Sequence, residues 1–405
     1  MLRDSENYIS IDCGTILYKN YKLKTQKLLY TEDAGWDLDI GNTELFIDAG
    51  LVLVFASSKL IQNKQLFTDL QSVYPNAQIA LVSTGGEIYG GGVYDESFVV
   101  TAFEFTTSKF FITEEEVLKR EESFAAGERV MRKLADQGDV KYTMVFAGGT
   151  EVSGTKFVEG LRNVSEGKIP FSGGLAGDGM NFQTTFLGVD RVPDGGNNAL
   201  VIGFYGEDIE IIGASMGGWD TFGMKQMVTK SEGNVVFELD NEPILDIYER
   251  YLGELGAKLP ESGIIYPMCV RNPDTQIPII RTVVAIDRND KSITFGGEVP
   301  EGCSAQIMKS NYRRLMDGSM SAVRAGTGYI PKPDAAILIS CIGRKLALKH
   351  RTPHEIELIH EMLQPCSTIT GFYSYGEIGP YEDNQAECYF HNQTMTVLLF
   401  TEKNV

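Results

Sequence analysis

Residues 51–88 read LVLVFASSKLIQNKQLFTDLQSVYPNAQIALVSTGGEI, and this stretch decides the fold. The apolar run Leu51–Ala56 is the pattern of a strand buried on both faces. A helical pattern then continues to about Tyr74, where the Pro75-Asn76 pair ends it. A second apolar strand, Ile79–Val82, closes on the glycines of STGGEI. The stretch therefore predicts a strand–helix–strand unit.

The same order of patterns recurs twice further along the chain. In the second copy, the strand Thr143–Ala147 precedes a helical pattern and FSGGLAGDG at residues 171–179. In the third copy, the strand Ala335–Ser340 precedes a helical pattern and GFYSYGEIGP at residues 371–380. Because each apolar strand pair has to be covered by another layer, the repeat predicts an α/β protein of mixed α+β layers, in two related domains built from strand–helix–strand units.

The division between the two domains is predicted where the repeat is interrupted. The segment TKSEGN at residues 229–234 breaks the pattern before a short apolar strand and a new amphipathic helix. We therefore predict an N-terminal extension over residues 1–30, an N-terminal domain over 31–234 and a C-terminal domain over 235–405.

Each copy of the unit ends its second strand in glycines followed by a carboxylate. STGGEI places Glu87 at this point, SYGEI places Glu377 there, and GLAGD, which begins at Gly174, places Asp178 there. A single glycine at a strand end indicates no more than a turn. Three such turns in related units predict instead that the halves face each other, with glycine backbones and acidic groups beside a shared cleft.

Composition excludes several classes of partner. The 405 residues include 55 acidic and 36 basic side chains, and the resulting net charge of -19 repels nucleic acid and anionic membrane surfaces. Neither a secretory signal nor an apolar membrane span is present in the sequence, so we expect a cytoplasmic protein. The six cysteines are scattered, which favours reduced, buried thiols over disulfides.

Several motifs give the chain a family resemblance. In the N-terminal half these are STGGEI, GGLAGD and GASMGGWDTFG at residues 213–223. In the C-terminal half they are FELDNEPILDIYERYLG, SCIGR at 340–344, GFYSYGEIGP and FHNQT at 390–394. In this order they resemble the FIST domain pair, named for F-box and intracellular signal transduction proteins. The resemblance covers residues 31–400.

The resemblance implies a bacterial cytoplasmic sensor that binds a small ligand of amino-acid type. It also implies a signalling partner, namely a histidine kinase of a two-component system, a chemotaxis receptor or a cyclic-dinucleotide enzyme. No output domain of these kinds is recognised in the sequence, so we expect a separate protein to carry the output. Bacterial members often have a histidine before the glycine–tryptophan pair, where this chain has Gly217-Gly218-Trp219.

The predicted ligand site lies at the strand ends of the C-terminal half. Arg344 follows a strand end and a glycine, so its guanidinium is a candidate for binding a ligand carboxylate or phosphate in bidentate fashion. Glu377 is a candidate partner for a ligand ammonium or for Arg344, and together the two side chains suit a zwitterion. The alternatives are a surface arginine and a glutamate that caps backbone amides.

Further candidates flank these two residues. His391 and Asn392 precede the last strand and offer a donor and an acceptor, although a structural histidine is the alternative. Tyr373 and Tyr375 alternate along one strand and therefore share a face, where they either wall a pocket or pack. The turn from Gly174 to Asp178 is predicted to close the site from the other half.

Three other interpretations compete with the amino-acid sensor or affect how the site is read. Some proteins that resemble this family bind haem, so a haem-based nitric-oxide sensor is the first alternative, with His391 or another of the four histidines as axial ligand. A hydrolase that uses Cys341 with His391 is the second, although no standard enzyme motif occurs and we predict no catalysis. The run Thr352-Pro353-His354-Glu355 is predicted to be a helix capping box and not part of a metal site.

Overall fold

Three related units and one inserted antiparallel sheet make up the protein. The structure is a computed structural model that describes residues 23–195, 198–382 and 384–403. The first unit contains β1 (Lys24–Thr31), β2 (Gly35–Trp36), β3 (Leu51–Ala56), α1 (Lys64–Val73), β4 (Gln78–Ser83), β5 (Glu87–Tyr89), β6 (Gly92–Tyr94) and β7 (Ser97–Glu104). The second contains β8 (Lys109–Glu116), α2 (Ser123–Ala135), β9 (Val140–Ala147), α3 (Gly154–Ser165), β10 (Phe171–Leu175), β11 (Leu187–Val189) and β12 (Asn198–Tyr205).

The third unit is split by the insertion. It begins with β13 (Ile209–Met216). The insertion contains β14 (Asp220–Thr221), β15 (Gln226–Glu232), β16 (Val235–Leu239), β17 (Glu242–Pro243), α4 (Ile244–Leu252), β18 (Met268–Arg271), β19 (Pro278–Arg281), β20 (Val283–Asp287), β21 (Ser292–Phe295) and β22 (Ser304–Lys309). The unit resumes with α5 (Tyr312–Tyr329), β23 (Ala335–Cys341), α6 (Ile342–Leu348), α7 (Thr352–Met362), β24 (Thr368–Ser374), β25 (Glu377–Tyr381), β26 (Asn384–His391) and β27 (Met395–Glu402).

Each unit builds one six-stranded sheet around a parallel strand pair. The pairs are β3 with β4, β9 with β10, and β23 with β24, and at least one helix crosses over between the two strands of each pair. The remaining strand pairings are antiparallel. The prediction of a mixed α/β fold is therefore confirmed, with three copies of the unit and a fourth, antiparallel sheet.

The three sheets are linked because each unit gives one or two strands to the sheet of a neighbour: β5 and β6 from the first, β11 from the second, and β25 and β26 from the third. The strand β5 of the first unit pairs with β24 of the third. In turn, β25 of the third unit pairs with β10 of the second, and β11 of the second pairs with β4 of the first. This exchange closes a ring, and it brings together the glycine turns that precede β5 and β25.

The central core lies where the inner faces of the three sheets meet. Phe55, Phe146 and Phe372, one from each unit, contact one another there, with ring centroids 4.8 to 6.0 Å apart. The outer face of each sheet is covered by helices, namely α1, the α2–α3 pair, and α5 with α7. Burial on both faces explains why the strand Leu51–Ala56 is apolar at every position.

Two of the predicted boundaries fall within paired strands or the turn between them. Residues 24–30, predicted as part of an extension, belong to β1, which pairs with β7 along its whole length; residues 1–22 lie outside the described residues. The boundary between 234 and 235 falls in the turn that joins the paired strands β15 and β16. Among the described residues, no helix is both long and apolar enough to cross a membrane.

Candidate functional site

The glycine turns of different units are hydrogen-bonded to one another at the centre of the ring. The Gly85 amide donates to the carbonyl of Tyr373 over 2.7 Å, and the Tyr373 amide donates to the carbonyl of Gly86 over 2.8 Å. In the same way, the Leu175 amide donates to the carbonyl of Gly376 over 2.8 Å. The halves of the chain therefore face each other through glycine backbones.

Two carboxylates occupy corresponding places behind these turns. Glu87 accepts hydrogen bonds from the hydroxyl of Thr84 and from the amide and hydroxyl of Ser97. Glu377 accepts from the hydroxyl of Ser374 and from the amide and hydroxyl of Thr394. Both are fully buried, and burial raises the pKa of each to about 7 despite these hydrogen bonds.

The third carboxylate, Asp178, has a different role. It accepts from the amides of Phe182, Gln183 and Thr184, and the hydroxyl of Tyr375 donates to it. These hydrogen bonds hold the loop that follows Asp178. The carboxylate is therefore already bonded within the protein, and the predicted role of Asp178 in ligand binding is not seen. The turn does reach the other half of the chain, because Gly174 pairs with Glu377 across β10 and β25.

Arg344 does not face a cleft, which corrects its predicted role as a ligand-binding residue. Its side chain is fully buried and forms an ion pair with the equally buried Glu355. The guanidinium also donates to the carbonyl of Leu315 over 2.9 Å and to the hydroxyl of Ser319 over 2.7 Å. These contacts join α6 to α5 through Leu315 and Ser319 and to α7 through Glu355, so Arg344 fixes α6 against both helices.

Glu355 and Tyr373 are likewise core residues. Glu355 does not complete a capping box, because its carboxylate binds Arg344 and Ser319. The ring of Tyr373 is fully buried beneath the ammonium of Lys345, which lies 5.0 Å from the ring centroid. Tyr373 therefore packs in the core, which is one of the two alternatives that the sequence leaves open for it.

One polar cavity lies between the insertion and the third unit. We name it the Arg271 cavity, and its volume is about 350 Å³. Its polar wall includes Arg271, Glu382 and His391, and its apolar wall includes Trp219 and Ile280. The partly buried guanidinium of Arg271 donates to the sulfur of Cys269 over 3.2 Å. No ion pair between described residues includes Arg271, so its charge is available to a ligand.

His391 is held in one tautomer at the edge of this cavity. Its Nε2 lies 3.2 Å from the carbonyl of Gly379, which only accepts, so Nε2 carries the proton and Nδ1 is left as an acceptor. Burial lowers the pKa of His391 to about 4, and the ring is neutral at physiological pH. The bond to Gly379 matches the structural alternative named for this histidine, while its place on the cavity wall keeps a ligand contact open.

A second, largely apolar cavity of about 330 Å³ contains two more of the predicted residues. This Cys341 cavity is lined by Cys341, Tyr375 and Asn392 together with apolar side chains of the insertion. The amide of Asn392 is engaged with backbone groups, because its oxygen accepts from Thr282 and its nitrogen donates to the carbonyl of His391. The roles of Tyr375 and Asn392 in ligand binding stay predictions.

The predicted site residues are therefore not gathered in one place. His391 lines the Arg271 cavity, Tyr375 and Asn392 line the Cys341 cavity, and Arg344 and Glu377 line neither. Sequence reasoning missed Arg271. The only signal available was a charged residue at the end of the apolar strand MCVR, and the insertion has no counterpart in the repeat with which to compare it.

Comparisons with known proteins agree with this architecture at the level of the family. The FIST N domain matches residues 50–242, and the FIST C domain matches residues 245–380. The chain belongs to the FIST family. FIST domains are signalling-sensor domains, so the family places this chain among sensory proteins without naming a ligand or a partner.

Solved structures resemble the FIST chain only distantly. A chorismatase is 9% identical and covers 93% of this chain and 99% of its own, with a TM-score of 0.35. A cyanuric acid hydrolase from A. caulinodans is 9% identical and covers 93% and 98%, with a TM-score of 0.34. A further cyanuric acid hydrolase structure is 10% identical and covers 93% and 99%, with a TM-score of 0.30. No curated protein sequence matches the chain.

His391 is poorly placed to ligate haem iron in this FIST chain. The Nε2 of His391 already donates to Gly379, and only 4% of the residue is exposed. No group of three or more histidine, cysteine or acidic side chains in the described part of the chain is placed to hold a metal ion. The structure therefore does not support His391 as an axial haem ligand.

We expect purified protein mixed with equimolar haem to show no sharp Soret band, because axial ligation by Nε2 of His391 would require breaking a buried hydrogen bond. Absorbance titration of the wild type and of His391→Ala checks this. A sharp band in the wild type that is lost in His391→Ala would contradict the expectation and restore the haem alternative.

Proposed function

We propose that this FIST protein is a cytoplasmic sensor that binds a small zwitterion of amino-acid type in the Arg271 cavity. The observation that carries the proposal is the guanidinium of Arg271, which lines a cavity of about 350 Å³ and takes part in no ion pair with a described residue. Guanidinium groups bind carboxylates through paired, charge-assisted hydrogen bonds. A ligand carboxylate would supply the negative charge that Arg271 does not find among the described residues.

The rest of the cavity suits the other parts of such a ligand. Glu382 supplies an exposed carboxylate for an ammonium group. The free Nδ1 of His391 is an acceptor that stays neutral at physiological pH. Trp219, Ile280 and Met308 offer apolar surface to a side chain. Polar groups that fix the orientation of a ligand beside apolar surface are typical of small-molecule sites.

The position of the cavity gives a route from binding to signalling. One wall comes from β18, β19 and β22 of the insertion, and the opposite wall comes from Ser215, Glu382 and His391 of the third unit. A ligand that contacts both walls more favourably in one relative arrangement than in another shifts the population toward that arrangement. Binding alone is sufficient for this function, and no catalytic step is proposed.

The output is proposed to pass to a separate signalling protein, either a histidine kinase, a chemotaxis receptor or a cyclic-dinucleotide enzyme. Membership in the FIST family supports a signalling partner. A Cys341–His391 hydrolase is not favoured. The two residues line different cavities, the Nε2 of His391 is bound to Gly379, and burial raises the pKa of the Cys341 thiol well above its usual range.

Arg271→Ala is expected to weaken binding of the amino acid by about 1.5–3 kcal/mol, because a charged hydrogen-bond partner is removed. Arg271→Lys should recover only part of this loss, since a point charge does not reproduce the bidentate fork. A thermal-shift screen of the amino acids on the wild type identifies the ligand, and calorimetry on the variants measures the loss.

Arg313→Ala is the matched control for this test. The side chain of Arg313 is 89% exposed, so its removal changes the net charge equally without touching the cavity. A ligand whose affinity is the same for folded Arg271→Ala as for the wild type binds elsewhere, and the proposed site would then be wrong.

A further inference from the structure

A third cavity lies on the opposite side of the β18–β19 hairpin from the Arg271 cavity. Along β19, Pro278 and Ile280 line the Arg271 cavity, whereas Ile279 and Arg281 line the third cavity. The alternation follows from the period of two along a strand. We name this third cavity the Arg281 cavity. Its volume is about 150 Å³, and its other walls are helix α3 of the second unit and the strand β26.

Arg281 brings to this cavity a buried positive charge that forms no ion pair with a described residue. Only 5% of the residue is exposed. Its guanidinium donates to the carbonyls of Glu298, Ile280 and Phe390 and to the hydroxyl of Thr155, at 3.1 to 3.4 Å. These four bonds leave one of the five N–H groups of the guanidinium unused. All four acceptors are uncharged, so the hydrogen bonds of the cation go to dipoles, while the carboxylates of Glu298 and Glu159 act on it only from a distance.

A second guanidinium lines the same cavity. Arg162, on α3, lies over the ring of Tyr389 at 4.3 Å. Neither Arg162 nor Arg281 takes part in an ion pair between described residues. A buried cation without a counter-ion is unfavourable, because burial removes its hydration. Burial accordingly lowers the pKa of Arg281 to about 10.

The neighbouring carboxylates are engaged elsewhere. Glu159 is paired with Lys156 over 2.8 Å. Glu298 accepts from the hydroxyl of Ser153 over 2.9 Å and lies 3.8 Å from the same lysine. Both carboxylates therefore lie within ion-pair distance of Lys156, and neither forms an ion pair with Arg162 or Arg281.

We infer that the Arg281 cavity binds a small carboxylate anion between the guanidinium groups of Arg281 and Arg162. The anion supplies the missing negative charge and accepts from the unused N–H of Arg281. Its size is limited, because 150 Å³ is about half the lower end of the roughly 300–1,000 Å³ typical of sites for drug-sized ligands. The apolar wall of Val270, Ile277 and Ile279 suits a short hydrocarbon chain on the carboxylate. This site is separate from the Arg271 cavity and does not depend on the function proposed there.

Acetate and propionate are the probes for this site, with sodium chloride at the same ionic strength as the reference. Both carboxylates are expected to raise the melting temperature of the full chain above that in chloride, because a ligand that binds the native state stabilises it. In Arg162→Gln the affinity for acetate, measured by calorimetry, should fall about 10- to 100-fold, since a charged hydrogen-bond partner is lost.

Variants on the two sides of the hairpin separate this site from the Arg271 cavity. Arg313→Gln, at an 89% exposed side chain, should bind acetate as the wild type does. Arg271→Gln removes any acetate binding in the Arg271 cavity, and adding Arg162→Gln to that variant should still lower the affinity for acetate. Arg162 is partly exposed, so its replacement tests the site even if Arg281→Lys fails to fold. Three outcomes would overturn the inference: no stabilisation of the wild type by carboxylates relative to chloride, equal acetate affinity in folded Arg162→Gln, or a loss of affinity confined to Arg271→Gln.

Discussion

Replacing Arg344 with alanine is expected to lower the free energy of unfolding by about 3–5 kcal/mol, because it leaves the carboxylate of Glu355 as an unpaired buried charge. Both side chains of this pair are fully buried. The guanidinium also bonds to Ser319 and to the carbonyl of Leu315, so its loss removes partners from α5 as well. Urea denaturation of the wild type and the variant measures the change.

Two further variants show whether the loss comes from the unpaired charge. Glu355→Gln should destabilise the fold by a similar amount, whereas the double change Arg344→Met with Glu355→Leu should restore most of the stability, since no charge is then buried. Arg313→Ala is the exposed control and should stay within about 0.5 kcal/mol of the wild type. If folded Arg344→Ala kept wild-type stability but lost ligand affinity, the original interpretation of Arg344 as a ligand-binding residue would be restored.

Arg344 also shows why the direction of a side chain could not be predicted from the local sequence. Its position after a strand end and a glycine was predicted correctly, and such positions often face a cleft. The direction of its side chain depends on Glu355, which lies 11 residues later in a helix. Because Thr352-Pro353-His354-Glu355 also satisfies the pattern of a capping box, the local sequence assigns that carboxylate to the helix end and leaves the arginine without a predicted partner.

The repeat was more informative, because it depends on packing that all three units share. Strands buried on both faces have to be apolar throughout, and turns that meet at a centre need glycine, so these patterns were visible in the sequence. The strand β1 was missed because its sequence, KTQKLLYT, is mostly polar at a sheet position that is only partly covered. Arg271 and Arg281 were missed because the insertion is not part of the repeat.

The largest pH dependence is expected from Glu87 and Glu377, the two buried carboxylates behind the glycine turns. Each has a native pKa of about 7, above its ordinary 4.5, because burial disfavours the charged form. The native state therefore holds more protons than the unfolded state between these values. The stability that each group contributes is fully present below pH 4.5 and is lost as the pH rises through 7.

The neutral form of each carboxyl fits its surroundings. A protonated Glu87 can donate to the hydroxyl of Thr84, which in turn donates to the carbonyl of Ala56 over 3.4 Å. In the same way, a protonated Glu377 can donate to the hydroxyl of Ser374, which in turn donates to the carbonyl of Ser340 over 3.4 Å. A glutamine can make the same contacts, with its amide nitrogen donating to the hydroxyl and its oxygen accepting from the opposite side.

Glu87→Gln and Glu377→Gln should therefore resemble the wild type in stability near pH 4.5 and should each exceed it by on the order of 3 kcal/mol at pH 8. Urea denaturation across this range measures the difference between variant and wild type at each pH. That difference isolates the glutamates from His391, whose lowered pKa of about 4 makes its own contribution to stability rise between pH 4 and 6.5. A difference that does not change with pH would show that the two carboxylates are ionised in the native protein throughout, and that the hydrogen bonds they accept outweigh the cost of burying them.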